Sequence, residues 1–202
     1  MEKFEFIIVG KKYDINLAKN IALLHYNNIK YSFMSSLGLN FLKVFYKFIL
    51  SDPFSITIIV KVNEDFGGYV VFNKNVSTIN KRFLFYLIRK EFLSFPQLLI
   101  PLLRNIMESL NSFFYPKKLK INVECELISI ALVNKYRNMG VGKKLVEVGE
   151  NILKELGVKK YKVLVYGDEE LYKFYRKIGM QKMGTIELHK GKISTIYIKE
   201  IK

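Results

Sequence analysis

Residues 137–144 read Arg-Asn-Met-Gly-Val-Gly-Lys-Lys, with two glycines and two lysines in eight positions. Glycine lets a backbone turn tightly and approach a ligand without a Cβ in the way. Cys125 to Val133, just before the segment, is an apolar, β-branched run that reads as a strand. The following Val141 to Leu156 has apolar residues at helical spacing and reads as a helix. The unpaired amides and the dipole of a helix N-terminus both favour an anion. The segment is therefore suited to cradling a phosphate, with Lys143 and Lys144 adding charge beside it; a plain strand-to-helix turn would also use Gly-x-Gly. Two phosphate motifs are excluded. A Walker A loop needs Gly five residues before Gly142 and Ser or Thr after Lys143, where this chain has Arg137 and Lys144. A dinucleotide fingerprint needs a third glycine at 145, which is Leu, and a place early in the chain.

The elements that must position this loop follow from periodicity and breakers. Phe4 to Val9 reads as a strand, and Asp14 can cap a helix whose apolar face includes Ile15, Ala18, Ile21, Ala22 and Leu24. A second helix is expected from Ser35 or Ser36 to Asp52-Pro53. Ser55 to Val62 and Gly68 to Phe72 form a hairpin across Asn63-Glu64-Asp65. Residues 77–116 are rich in Leu, Phe and Arg and lack strand alternation; two or three helices broken at Pro96 and Pro101 are expected there. Tyr161 to Tyr166 is a strand and Asp168 to Ile178 a helix, stopped by Gly179. Met180 to Thr185 and Ile193 to Ile198 make a last hairpin. Strands alternating with helices after the fourth strand argue for an α/β fold on a mixed sheet, with 1–202 as a single domain.

The segment Arg137-x-x-Gly140-x-Gly142 after the fourth strand resembles the acyl-CoA loop of the GNAT N-acetyltransferase superfamily. Glu126-Leu127-Ile128-Ser129-Ile130-Ala131-Leu132-Val133 resembles that family's preceding strand. Phe174-Tyr175-Arg176-Lys177-Ile178-Gly179-Met180 is similar to its second signature, with Met180 where Phe is usual. The element order matches as well, and 77–116 is then a helical insertion between the third and fourth strands of a GNAT fold. The resemblance implies acetyl-CoA as co-substrate. The backbone of Ile130, Ala131 and Leu132 would pair with the pantetheine arm, on a strand edge that splays from its neighbour. The segment Arg137, Asn138, Met139, Gly140, Val141, Gly142 and Lys143 would hold the pyrophosphate. Tyr175 aligns with the tyrosine that protonates the departing thiolate, and Glu126 with one branch's catalytic base. Asp168 stands where the family often has a cofactor-contacting Asn, and carboxylate oxygens cannot donate as Asn does.

The acceptor side is less legible. Tyr31, Phe33 and Met34 could line an acceptor pocket, and Arg82, Arg89, Lys90 and Arg104 among phenylalanines could hold a phosphate-bearing amine, rim a homodimer interface or simply pack. His25 and His189 read as structural or surface residues, and Cys125 as a small buried hydrophobe. One cysteine and two histidines leave neither a disulfide framework nor a Cys- or His-rich metal site to expect. The 202 residues are 50% hydrophobic and 14% aromatic, a folding composition. The net charge of +15 is spread along the chain, at +3 over 1–60, +6 over 61–120 and +6 over 121–202. Such a field attracts anions, nucleotides included, or reflects lysine used for solubility. Neither a signal-peptide core nor a bilayer-length apolar run stands out, so a cytoplasmic protein is expected. The leading expectation is N-acetyl transfer to a small or nucleotide-linked amine. Alternatives are a protein N-terminus or lysine as acceptor, a CoA-binding module without catalysis, or a nucleic-acid-associated protein; for the last, no RNP-like or zinc-finger signature is seen.

Overall fold

The structure is a computed structural model that describes residues 2–10, 13–30, 32–91, 121–167, 169–189 and 192–202. Strand β1 spans Phe4–Ile8 and helix α1 Ile15–Asn28, with the Asp14 carboxylate accepting from the Asn16 amide at 2.9 Å, as its position before the apolar stripe requires. The expected second helix is two helices, α2 over Phe33–Ser36 and α3 over Leu39–Ser51. Gly38 separates them at φ +89°, a conformation no helix contains, and Ser32 caps α2. Strands β2, Ser55–Val62, and β3, Asp65–Asn73, meet in a tight turn with Asn63 and Glu64 both at positive φ. A 3₁₀ turn at Val76–Thr78 leads into α4, Ile79–Tyr86, and a π-helical turn at Leu87–Glu91. The rest of the expected insertion, with Pro96 and Pro101, lies outside the described residues. Then come β4, Glu126–Leu132; a 3₁₀ turn, Asn134–Tyr136; α5, Val141–Glu155; β5, Lys160–Val165; α6, Glu169–Lys177; and the hairpin of β6, Gln181–His189, with β7, Lys192–Glu200.

The seven strands form one mixed sheet in the order β1-β2-β3-β4-β5-β7-β6. Neighbours are antiparallel except β4 and β5, which run parallel and meet at a single pair, Glu126 opposite Lys162. Beyond that pair the two strands part. The alternation of β2 and β3 sends Ile59, Tyr69 and Val71 to one face, against Ile21, Leu42 and Phe45 of α1 and α3. Val60, Val70 and Phe72 go to the other, against Leu145, Val146 and Leu153 of α5. At Gly149 the absent Cβ matters: a methyl there would stand 2.3 Å from the Phe72 ring, so glycine is what lets α5 sit this close to the sheet.

Strand β4 carries a bulge. Ser129 pairs with Val71 and Leu127 with Phe72, which leaves Ile128 as an extra residue. The extra residue resets the alternation. Glu126, opposite Asn73, and Ser129, opposite Val71, therefore share the face covered by α1 and α3, although three positions apart.

Candidate functional site

The sheet opens where β4 leaves β5. One edge of β4, including Ile130, Ala131 and Leu132, pairs with β3; its other edge has no ladder beyond Glu126–Lys162 among the described residues. The splay expected from the sequence is thus present. The chain leaves β4 through the 3₁₀ turn and reaches α5 through Arg137, Asn138, Met139 and Gly140. Asn138 and Gly140 lie at φ +59° and +79°. Two left-handed residues in three positions turn the chain sharply into the helix. Gly140 is the N-cap and supplies no side-chain hydrogen bond; the helical ladder opens with the Lys144 amide donating to the Gly140 carbonyl at 3.1 Å. The amides of Val141, Gly142 and Lys143 therefore precede the helical ladder and point out of its end.

The two glycines serve different ends. A Cβ at Gly140 would meet nothing within 4 Å, so the space beside it is open. A Cβ at Gly142 would stand 3.3 Å from the Phe174 ring and 3.6 Å from Leu132. The second glycine is thus explained by α6 packing on the loop as well as by a ligand. Arg137 donates a hydrogen bond to Asn28 at the end of α1. Lys143 and Lys144 are exposed, each paired with Glu147, at 3.6 Å and 3.4 Å. Met139 is exposed. Asp168 lies outside the described residues.

Phe174 links this loop to Tyr175, the next residue of α6. The Tyr175 ring is buried, stacked on Tyr197 of β7 at 6.1 Å and 25°, and edge-on to Phe174 at 5.2 Å. Burial, and then the nearby Tyr69 phenol, raise its pKa above the ordinary 10, so its hydroxyl stays protonated at neutral pH. Glu126 is buried too, with Lys162 Nζ 3.7 Å away. Burial pushes the carboxyl up to about 7, and Lys162 only partly opposes this. Cys125, beside it, is buried and its thiol is pushed up to about 12, chiefly by burial, which keeps it an inert hydrophobe as expected.

The expected acceptor residues are mostly structural. Met34 is buried in the core and Phe33 packs against it, while Tyr31 lies outside the described residues. The Arg82 guanidinium donates to buried Asp52 at 2.8 Å, contacts Asn73, Asn75 and Thr78, and lies 4.5 Å from the Phe54 ring centroid. It fastens α4 to the sheet and is not available to a phosphate. Arg89 and Lys90 are exposed, and Arg104 lies outside the described residues.

His25 is a structural residue, one of the two readings expected of it, and its surroundings go beyond that reading. The ring is 4% exposed, neither a surface residue nor an isolated core one. Its Nδ1 lies 2.6 Å from Tyr46 Oη, which lies 2.9 Å from both Tyr69 Oη and Ser129 Oγ; its Nε2 lies 3.2 Å from Ser32 Oγ. Four elements and the Ser32 cap thus converge on one polar cluster under β4. A signal existed in the sequence: His25 continues the Ala18, Ile21, Ala22 stripe by one turn, and Tyr46 lies between Leu42 and Ile49 on the apolar face of α3.

Residues 113–180 match the acetyltransferase (GNAT) family model. No curated protein matches the chain. Among solved structures, a Desulfovibrio desulfuricans protein assigned to the GNAT acetyltransferases is 11% identical, over 100% of both chains, at a TM-score of 0.59. An acetyltransferase from Thermus thermophilus is 14% identical, over 98% of this chain and 96% of that one, at a TM-score of 0.56. The PaiA N-acetyltransferase of Thermoplasma acidophilum, solved in complex with coenzyme A, is 12% identical over 98% and 99%, at 0.55. These identities speak to fold alone, and the fold is the one the resemblance implied. No helix among the described residues is long and apolar enough to cross a membrane. Residues 113–180 thus carry the signature of the GNAT acetyltransferase family, and the described residues share the fold of these solved acetyltransferases.

Proposed function

We infer that the chain, acting as one domain, transfers an acetyl group from acetyl-CoA to the primary amine of a small or nucleotide-linked acceptor by direct attack. The observation that carries this is the parting of β4 from β5 directly above an uncapped helix N-terminus. An extended arm fits the first and a pyrophosphate the second. The unpaired edge of Ile130, Ala131 and Leu132 would hold the pantetheine and polarise the thioester. The backbone from Asn138 to Lys143 would take the pyrophosphate, and Arg137, held by Asn28, would shape the loop. Asp168 is assigned to the cofactor on the resemblance alone.

Tyr175 is the proposed acid. Its hydroxyl is protonated throughout the neutral range, and it can donate to sulfur as the carbon–sulfur bond breaks. Glu126 is the proposed base, because a carboxyl with a pKa of about 7 can take a proton at neutral pH. Homodimerisation through residues 77–116 belongs to the same reading, and sedimentation of the full chain tests it.

Gly140→Asp tests the loop. Asp tolerates positive φ better than most residues, and its Cβ enters open space, so the fold survives while a carboxylate faces the pyrophosphate. The parent should bind acetyl-CoA by calorimetry and Gly140→Asp should not; equal affinity removes the loop from the site. Gly142→Val is a poor substitute, because it strikes Phe174. Acceptor class is read by mass spectrometry of a mixture of ethanolamine, spermidine, glucosamine and a peptide with a free N-terminus and a lysine. Acetylated peptide alone would favour a protein acceptor.

A further inference from the structure

The cluster around His25 has a direction. Ser32 Oγ accepts from the Ser35 amide at 3.0 Å and donates its own proton to Ser35 Oγ at 2.9 Å; Ser35 donates in turn to the Ile29 carbonyl at 2.6 Å. With its proton used, Ser32 can only accept from His25 Nε2. The imidazole is therefore the Nε2–H tautomer, and its Nδ1 accepts from Tyr46 Oη at 2.6 Å, the nearer of two phenols, with Tyr69 Oη at 3.3 Å. Tyr46 has spent its one proton, so its oxygen accepts from Tyr69 and Ser129. Every proton in the chain points away from β4 toward the α1–α2 corner. Among the described residues, the lone pairs of Tyr69 and Ser129 are the acceptors at its head. Ser129 lies on β4 next to the bulge, and Tyr69 is the phenol that influences Tyr175. Ser32, at the tail, is half-buried.

We propose that Ser129, Tyr69, Tyr46, His25 and Ser32 form a proton outlet that carries a proton from the acceptor amine at β4 to the surface at Ser32. The proposal rests on the acetyl-transfer reading and adds to it a route out for the proton. The acceptor arrives as an ammonium and, before attack, gives one N–H proton to the oxygen of Ser129. As the freed amine bonds the acyl carbon, its second proton goes to Glu126 while Tyr175 protonates the departing sulfur, and Glu126 then restores the Tyr175 proton. The Ser129 proton moves to Tyr46, the Tyr46 proton to His25 Nδ1 and the Nε2 proton to Ser32, whose hydroxyl turns from Ser35 Oγ to give its own proton to water. Each group ends with the number of protons it began with, and one proton reaches solvent. The outlet needs a neutral imidazole, and burial lowers His25 to about 4. The groups bonded to the ring are Tyr46 from α3, Tyr69 from β3 and Ser32 before α2; no carboxylate or cation bonds to it among the described residues. Packing alone gives no reason for so many buried hydroxyls, since apolar pairs of the same shape are close to neutral.

Ser129 would touch substrate; Tyr69, which is fully buried, Tyr46 and His25 act through it. His25→Gln keeps one donor and one acceptor but cannot take a proton at one atom while releasing one at another. Tyr46→Phe cuts the chain. With acetyl-CoA and the best acceptor of the amine mixture, both variants should lose on the order of 10²-fold in kcat at neutral pH. Acetyl-CoA affinity should be unchanged. The deficit should shrink as pH rises toward the amine's own pKa, about 10, where solvent has already removed the proton. The parent's proton inventory in mixed light and heavy water should be curved, and that of the variants linear. Parental kcat and inventory in folded variants overturn the outlet, and so does a loss equal at every pH, which marks a structural role. If Tyr46→Phe fails to fold, His25→Gln decides alone. If Glu126→Gln abolishes the curvature and His25→Gln does not, the proton leaves through Glu126. Absence of any acetylated amine with the parent brings down the transfer reading itself, a result distinct from all of these.

Discussion

His25 and Glu126 are buried on the same face of the sheet, with pKa values displaced in opposite directions. His25 falls from 6.5 to about 4, so the folded chain resists a proton that the unfolded chain takes, and stability is lost as pH drops through that window. Glu126 rises from 4.5 to about 7, so the folded chain holds a proton longer, and stability is lost as pH climbs through that window. The His25 displacement corresponds to something on the order of 3 kcal/mol. Between about pH 4.5 and 6.5 the two effects oppose each other. Urea titrations across this range should therefore show His25→Gln gaining stability relative to the parent toward acid, and Glu126→Gln losing it. Matching slopes for all three proteins would mean that neither group is held as described. Tyr175→Phe keeps the ring stacked on Tyr197 and removes only the hydroxyl. kcat should fall by roughly 10²- to 10⁴-fold with acetyl-CoA affinity intact, because a ground-state thioester carries no charge for the hydroxyl to meet. Tyr172→Phe, also beside Tyr197, is the control and should be mild. The turn into the helix at Gly140 and the placement of Tyr175 on a helix were legible because their residue types are spaced as a known signature. The cluster was not, since His25, Tyr46, Tyr69 and Ser129 come from four elements and only the fold makes them neighbours.

At the scale of elements, most of the sequence reading holds, because period-2 and helical stripes report which face is buried. It misses where backbone geometry departs from period. The bulge at Ile128 leaves no mark on composition, yet it puts Glu126 and Ser129 on one face. Gly38 divides one expected helix into two because a lone glycine in an apolar stripe looks tolerable until its φ is known. Gly149 tests the same point through stability. Helix propensity alone favours Ala over Gly by about 1 kcal/mol. Here the added methyl would stand 2.3 Å from Phe72, a fully buried ring packed edge-on to Tyr161. Overpacking of this kind costs about 1–3 kcal/mol, so it outweighs the propensity gain. Gly149→Ala should lower Tm by a few degrees, on the order of 2–4 °C per kcal/mol of net loss. A rise in Tm would mean that Phe72 has room to move and that α5 is less tightly seated.

For the whole molecule, a net charge of +15 accompanies a proposed site built largely from backbone. Acetyl-CoA affinity should therefore weaken between low and physiological salt but not vanish, since exposed Lys143 and Lys144 are screened while amides at a helix end are screened less. Any nucleic-acid binding should be weak and indifferent to sequence; sequence-selective binding that survives physiological salt would point to a different function. The parting of β4 and β5 has a further consequence. A strand edge left open in the middle of a sheet is as sticky as one at its margin, and invites a strand from another chain. If the pantetheine arm lies there, it serves as the missing strand, and the co-substrate doubles as a seal. The protein should then be most prone to self-association when starved of CoA, and its supply of acyl donor would govern how long it stays dispersed as well as how fast it works.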